Sequence, residues 1–530
     1  MFKTAVLEIA KIAEEPCFAN ATFDLHRLDW LGCPHPKKVH DVIIQDNLLR
    51  PDQMAHGLKI IGARDMGKEA VLDEKRILDW FKEHNLGKKE YWKLPDDLVM
   101  PYLAQDCFLT RQIHEANKSK FRTMVASNHR MMNAGDLYDM ERELSLVTFK
   151  MERYGIQLNI PYLKEQELVM TKELEKLAHE IQHIADYKFS VSSDVQTADV
   201  LYRKLGLPAR VFTESGQPST NDEALRKLEH PIAEPMRQHR EIEQMLSMFV
   251  RPWLEVADDE GKVHAQFNSM GTRSGRYSCK NPNMQQIMKN PRIMRAIVPR
   301  EGMVDGHSDA SQIEMVGCAW YTRDPNLLNS VRSQLDLHTE TATDIYDVPP
   351  EKVTPDQRKV GKGMNFSVIF GCGKGKLASF LSTYTGREVS HEEAMNVLRI
   401  FHAKRPMIKQ FAYRVMDTIK RRADRSVTNF FGRKFVLPDG KEYIGPNRLI
   451  QSWAAYVCKF AMVKVSKQLN WKDEAINCQI HDNICWTTTP EKQEEVKHIV
   501  ETAMTTWPQF DVPITVKTKV AKRSWEELLD

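Results

Sequence analysis

The chain has no run of about eighteen apolar residues, so no transmembrane helix is expected. It has no CxxC pair. Its nine cysteines are scattered and odd in number. That argues against a disulfide framework or a zinc site and for reduced thiols in a cytoplasm-like compartment. The opening MFKTAVLEIAKIAEEP lacks a long apolar core and a small-residue cleavage site, so it reads as a short amphipathic helix and not as a secretory signal. Repeats and low-complexity tracts are missing too, which leaves ordinary globular domains. The length of 530 residues argues for several of them. Charge of one sign is also lacking: 75 Lys and Arg against 72 Asp and Glu give a net +3. A nucleic-acid binder with that balance must gather its cations locally.

What is present changes along the chain. Residues 1–120 alternate short apolar runs (CFANATF, VHDVIIQD) with helical stretches (EAVLDEKRILDWFKEHN), which suggests an α/β domain. NKSKFRTMVASNHRMMNAGD then reads as a linker. From about Leu137 to Asp258 the pattern is helical, and PYLKEQELVMTKELEKLAHEIQHIADYKF keeps three- and four-residue apolar steps over a long span. A helix of that length protrudes or packs in a hairpin. From Gly261 strands and helices mix again. GMVDGHSDASQIEMVGCAWYT reads as a strand ending near Ser308 and turning into a helix. A second helix is expected over Thr354–Phe370, with Thr354 as cap, Pro355 at the first helical position, Gln357 three residues after the cap and Gly371 ending it.

That second helix, TPDQRKVGKGMNFSVIFG, places Arg358, Lys362, Phe366 and Phe370 at steps of four, so they share one face at intervals of about 6 Å. Two cations followed by two aromatics can take phosphates at one end and stack a base at the other. The same pattern also describes a surface helix with a cationic stripe and two core aromatics. Gly361 and Gly363 cost roughly 1 kcal/mol each relative to Ala, which makes sense if something approaches the backbone closely. Two acidic positions stand apart. Asp309 in HSDASQIEMVG lies where a strand becomes a helix, with Glu314 five residues on. Asp482 lies in CQIHDNICW, at the tip of an apolar hairpin. Carboxylates on neighbouring strands could hold two Mg²⁺ ions, which take oxygen ligands and stabilise both oxygens of an in-line phosphoryl displacement; polymerases are an established example. The alternatives are a helix cap at Asp309 and a His481–Asp482 hydrogen bond at a turn. A phosphohydrolase built on the His-Asp pair lacks the flanking metal ligands.

The ordered set DASQIE, RKVGKGMNFSVIFG and IHDN resembles motifs A, B and C of family A DNA polymerases, the bacterial polymerase I and phage group. GTRSGRYSCKNPNMQQI, DLHTETA, NFFGRKFVLPD and MERYGI resemble further segments of that family. The resemblance implies an α+β multidomain fold, a right-hand polymerase (palm, fingers, thumb) preceded by a truncated RNase H-like α/β 3′–5′ exonuclease-like domain. It implies an exonuclease-like region over 1–122, a thumb over 137–260, a first palm part over 261–335, fingers and a return segment over 336–470, and a second palm part over 471–530. It further implies a DNA-directed DNA polymerase of replication or repair. Its cofactor would be Mg²⁺, two ions with Mn²⁺ as substitute, and its partners primer–template DNA and dNTPs, in the cytoplasm or a host's cytoplasm for a viral chain. The compact plan leans toward phage.

By position, Asp309 and Asp482 would be the metal-binding catalytic carboxylates, with the Ala310 backbone carbonyl as a further ligand. Arg358, Lys362 and His338 would contact the incoming triphosphate, and Lys362 would give a proton to the pyrophosphate. Phe366, Gln312 and Phe370 would line the nucleotide site, and Glu314 would close off the space for a ribose 2′-OH. Arg276, Asn447 and Gln451 would read the minor groove, where readout is nearly independent of sequence. His481 would sit near the primer terminus. The chain departs from the family where an aromatic usually precedes the position of Ser311 (Ala310 here), where an acid usually follows the His-Asp pair (Asn483 here) and where Tyr often stands (Phe370 here). None of these removes a primary metal ligand. The alternative function is a non-catalytic primer–template DNA-binding protein derived from a polymerase.

The N-terminal region resembles the family's proofreading domain. Asn20, Phe23 and Asp24 resemble its motif II, Tyr102 and Asp106 its motif III, and Asp41 falls between them. Motif I is a DxE pair, and none lies among the nineteen residues before Asn20. Proofreading is therefore expected to be absent or weak. Three explanations stand: a structural remnant, a truncated product, or a separate chain that completes the domain. A processivity factor is a further candidate partner.

Overall fold

The computed structural model describes residues 2–123, 132, 134–213, 215–369, 374–387 and 389–529. They form two compact units, one of Met1–Tyr154, Phe267–Ser278 and His307–Thr518, the other of Gly155–Gln266, Cys279–Gly306 and Lys519–Asp530.

In the first unit, the N-terminal segment is built mainly of helices: Phe2–Ile12, Ala21–Trp30, Val42–Leu49, Leu58–Met66, Leu72–Glu83 and Asp96–Thr123. Its strands are short. Cys17–Phe18 pairs in parallel with His40–Asp41, and the run VHDVIIQD is helical from Val42 onward. Asp41 explains that switch. Its carboxylate accepts from the N–H groups of Ile43 (2.8 Å) and Ile44 (3.3 Å), capping the helix that follows. It also accepts from Ala21 (2.7 Å) and Asn20 (3.3 Å), tying two helix starts together. Val42, Ile61, Leu109 and Ile113 form the core beneath. The expected linker over 117–136 begins inside the helix Asp96–Thr123, because Asn117 and Phe121 are buried and continue its packed face.

The centre of the unit is the helix Gly445–Ser466, buried along most of its length. Around it lies an aromatic cluster: Trp453–Phe510 at 4.8 Å, Phe430–Phe510 at 5.0 Å and Trp320–Phe430 at 5.4 Å between ring centroids. Such pairs add about 0.5–1.5 kcal/mol each beyond area burial. A four-stranded sheet runs in the order Ala475–Ile480, Asn483–Thr488, Val304–Ala310, Val516–Ala521, of which this unit holds the first two strands whole and the other two over 307–310 and 516–518. Its first two strands form an antiparallel hairpin in the register Ile480↔Asn483, so His481 and Asp482 are its two-residue turn. His481 takes the left-handed conformation there, with φ 56°. Side chains lace the strands: Trp486 Nε1 donates to Ser308 Oγ (3.0 Å), which lies 2.9 Å from Thr518 Oγ1.

In the second unit the long helix is Ile160–Ala185, capped by Asn159, whose side chain accepts from Tyr162 N–H at 3.1 Å. Ile181 and Ala185 pack with Ile232, Ala233 and Met236, the last two on the helix Ala233–Met245. The long helix thus buries its apolar stripe in a helical hairpin.

Candidate active site

The two acidic motifs meet through the backbone. The Ala310 N–H donates to the Asp482 carbonyl at 3.2 Å. The strand Val304–Ala310 is buried at Ser308 and Ala310 but exposed at Asp309, because alternate residues face opposite ways. Asp482 is half-buried. Burial first, and then the nearby Asp309 charge, hold its carboxyl above the usual range, against the opposing pull of Arg276. Asp482 Oδ1 is buried and has no hydrogen-bond partner among the described residues. Among those residues no three His, Cys, Asp or Glu side chains gather as a metal cluster. A Mg²⁺ site of one or two carboxylates completed by phosphate and water needs no such cluster.

Arg276 spans this corner. Its guanidinium pairs with Glu314 and stands 4.0 Å from Asp482. Glu314 is buried, which raises its pKa, with Arg276 opposing the rise. Sequence reading put Arg276 on the minor groove and Glu314 beside the sugar, and it missed that the two hold each other.

The cationic helix is Pro355–Ile369, with the expected cap: Thr354 Oγ1 accepts from Gln357 N–H (3.2 Å) and Gln357 Oε1 from Thr354 N–H (2.9 Å). Its partner is the helix Leu337–Tyr346, capped by Asp336. A Cβ at Gly361 would stand 2.1 Å from the His338 carbonyl oxygen. The close approach that the glycine permits is therefore that of the neighbouring helix. Arg358 Nε donates to Asp336 Oδ2 at 2.6 Å. Burial works against ionisation of Asp336, and the Arg358 bond outweighs it, so its pKa is lowered. Lys362 is exposed, with Nζ 6.0 Å above the Phe366 ring. His338 is buried, its ring 5.9 Å from Phe366, and burial lowers its pKa to about 4. Arg358, Lys362, Phe366 and His338 thus gather in one place.

Gln312 adopts φ 51° before the helix Ile313–Thr322, and its Oε1 accepts from Leu337 N–H at 3.1 Å. It braces the Leu337–Tyr346 helix start. Asn447 and Gln451 are buried on the Gly445–Ser466 helix, and His481 is exposed at the hairpin turn. Phe370 and Gly371 lie outside the described residues.

Two residues went unnoticed in the sequence. Asp336 precedes a helical stretch and carried a cap signal. Asn365 sits inside a helix between apolar residues, where Asn is disfavoured, and that mismatch was its signal.

The exonuclease-like residues make contacts of their own. Asp24 lies near Asp41, and burial together with the Asp41 charge raises its pKa to about 6. Asp106 is paired with Lys59, whose ammonium lies 4.2 Å from the Tyr102 ring centroid. Phe23 is exposed, and Asn20 serves as the left-handed cap of Ala21–Trp30.

The model of DNA polymerase family A matches residues 160–527. The chain belongs to that family. It is 31% identical over 403 residues to the thermostable DNA polymerase I of Thermus aquaticus, covering 72% of this chain and 47% of that protein. It is 25% identical over 526 residues to DNA polymerase I of Treponema pallidum, covering 96% of this chain and 50% of that protein. The chain thus spans about half the length of the curated relatives it matches. Its fold is that of a solved structure, the POL domain of Pol1 from M. smegmatis in complex with DNA primer-template and dNTP. The TM-score is 0.80 at 23% identity, over 96% of this chain and 86% of the other. The family A chain therefore has an α+β right-hand polymerase fold. Among its described residues no helix is long and apolar enough to cross a membrane.

Proposed function

We propose that this family A chain is a template-directed DNA polymerase that adds deoxynucleotides to a primer 3′ end by nucleotidyl transfer, in replication or repair. The observation that supports it most is the Ala310–Asp482 backbone bond, which makes two acidic strand ends neighbours. Asp309, Asp482 and the Ala310 carbonyl would hold two Mg²⁺ ions, or Mn²⁺ in their place. The fit rests on the buried Oδ1 of Asp482, which has no hydrogen-bond partner among the described residues and only the Arg276 guanidinium at 4.0 Å, and on the repulsion from the nearby Asp309 charge. Divalent cations bound there supply charge stabilisation to the attacking and leaving oxygens.

The chain's own residues do the rest. Arg358, Lys362 and His338 bind the triphosphate. Arg358 engages Asp336 through Nε, which aims its guanidinium. Lys362 gives a proton to the departing pyrophosphate. Phe366 and Gln312 line the nucleotide site, the motif position of Phe370 implies the same role for it, and Glu314 excludes a 2′-OH. Arg276, Asn447 and Gln451 bind the primer–template minor groove, with His481 at the primer end. In domain terms, 137–260 is the thumb, 261–335 and 471–530 the palm, and 336–470 the fingers. Proofreading is weak or absent over 1–122. The Lys59 ammonium neutralises Asp106, and Asp41 is committed to four backbone N–H groups. A separate chain completing that region and a processivity factor remain candidate partners.

The test is one gel. A 5′-labelled primer on a longer template is incubated with the protein and Mg²⁺, with and without dNTPs. Extension with dNTPs and no shortening without them is the expected result. Shortening would overturn the assignment of 1–122. Bound but unextended DNA would replace the enzyme with a non-catalytic binding protein.

A further inference from the structure

His338 can act on an anion only through a ring N–H, and which nitrogen carries it is decided by the partner of the other. Asn365 is that partner. Its Nδ2 lies 3.0 Å from His338 Nδ1 and 3.0 Å from the Leu337 carbonyl oxygen. A carbonyl only accepts, so the amide must present its NH₂ group to Leu337, and the same NH₂ group then faces His338. The opposite amide orientation would set Asn365 Oδ1 against the Leu337 oxygen. Thr341 is compatible with either end: its single hydroxyl hydrogen lies between Asn365 Oδ1 (2.9 Å) and the Leu337 oxygen (2.8 Å), so the Leu337 carbonyl decides the orientation. Asn365, Thr341 and His338 are all buried, so no solvent competes for these bonds.

We infer that Asn365 is a positioning residue: its amide donates to His338 Nδ1 and fixes the imidazole as the tautomer with its proton on Nε2. That N–H is then a standing donor beside Arg358 and Lys362 for a nucleotide phosphate oxygen. The inference rests on the proposed polymerase reading, in which His338 meets the triphosphate. Asn365 bridges the Leu337–Tyr346 and Pro355–Ile369 helices, so the same bonds that hold the two helices together also orient the ring.

Two experiments test it on the full chain. The first is a nitrogen-15 histidine spectrum of the wild-type protein near neutral pH, with His338 assigned through H338Q. Nε2 protonation is expected, and Nδ1 protonation would overturn the inference. The second is a kinetic cycle. In N365D the carboxylate accepts where the amide donated, which favours the Nδ1–H tautomer. KM for dNTP should rise about tenfold or more, the scale of one hydrogen bond to a charged group, with a smaller change in kcat. In the H338Q background N365D should add little. Equal effects of N365D with and without His338 would mean a merely structural role and would overturn the inference. A wild-type protein that extends no primer would instead fail the polymerase reading, while the spectrum would still report the tautomer.

Discussion

Replacing Lys459 by methionine should destabilise the first unit by about 3–5 kcal/mol, the cost of leaving one member of a buried ion pair alone. Lys459 and Glu141 side chains are 2% and 0% exposed. The Lys459 ammonium donates to Glu141 Oε1 at 2.7 Å and to the Ser269 carbonyl at 2.8 Å. Burial pulls the Lys459 pKa down, and Glu141 opposes that fall. K459M leaves Glu141 buried without its cation. The double variant K459M/E141L removes both charges and should recover most of the loss, because apolar replacement of a buried pair is often neutral. Urea unfolding followed by tryptophan fluorescence, with Trp253 and Trp525 of the second unit replaced by Phe in every variant compared, reads this unit. A K459M loss of less than about 1 kcal/mol, the range of an exposed pair, would refute the reasoning. So would a double variant as unstable as the single one.

Three further outcomes follow from the same geometry. Burial opposes ionisation of Asp46, but His56, Arg64 and Arg50 outweigh it and hold its pKa at about 2, against an ordinary 3.8. That depressed value stabilises the fold by about 2 kcal/mol above roughly pH 4, a contribution lost as pH falls toward 2; urea midpoints at pH 5 and pH 3 should show it, and D46N should flatten the difference. G361A should push the Leu337–Tyr346 helix off its neighbour, since the new Cβ meets the His338 carbonyl, and primer-extension kinetics should show KM for dNTP raised severalfold or more. E314A should open the sugar side of the site and release Arg276 toward Asp482; the ratio of ribonucleotide to deoxynucleotide incorporation should rise tenfold or more.

The elements proposed to carry phosphate and metal chemistry were the most legible in the sequence. The Thr354 capping box and the step-of-four spacing of Arg358, Lys362 and Phe366 are local, and the helix formed as they imply. The His481–Asp482 turn could likewise be read from apolar residues on either side. Pairings across long sequence separations could not be read this way. The Arg276–Glu314 pair, the Asn365–His338 bond and the Lys459–Glu141 pair join segments with no shared local pattern. The N-terminal apolar runs, expected to alternate with helices in an α/β domain, form strands of only two residues. A run such as VHDVIIQD suits a strand or a buried helix, and the Asp41 cap decides for helix.

The most direct test compares D309A with the wild type in two assays on the same primer–template: extension with dNTPs and Mg²⁺, and equilibrium binding. The account predicts that extension falls about a thousandfold or more, because a metal-binding carboxylate is gone, while the dissociation constant for DNA changes only a few-fold. Extension that persists in D309A at near wild-type rate would contradict it.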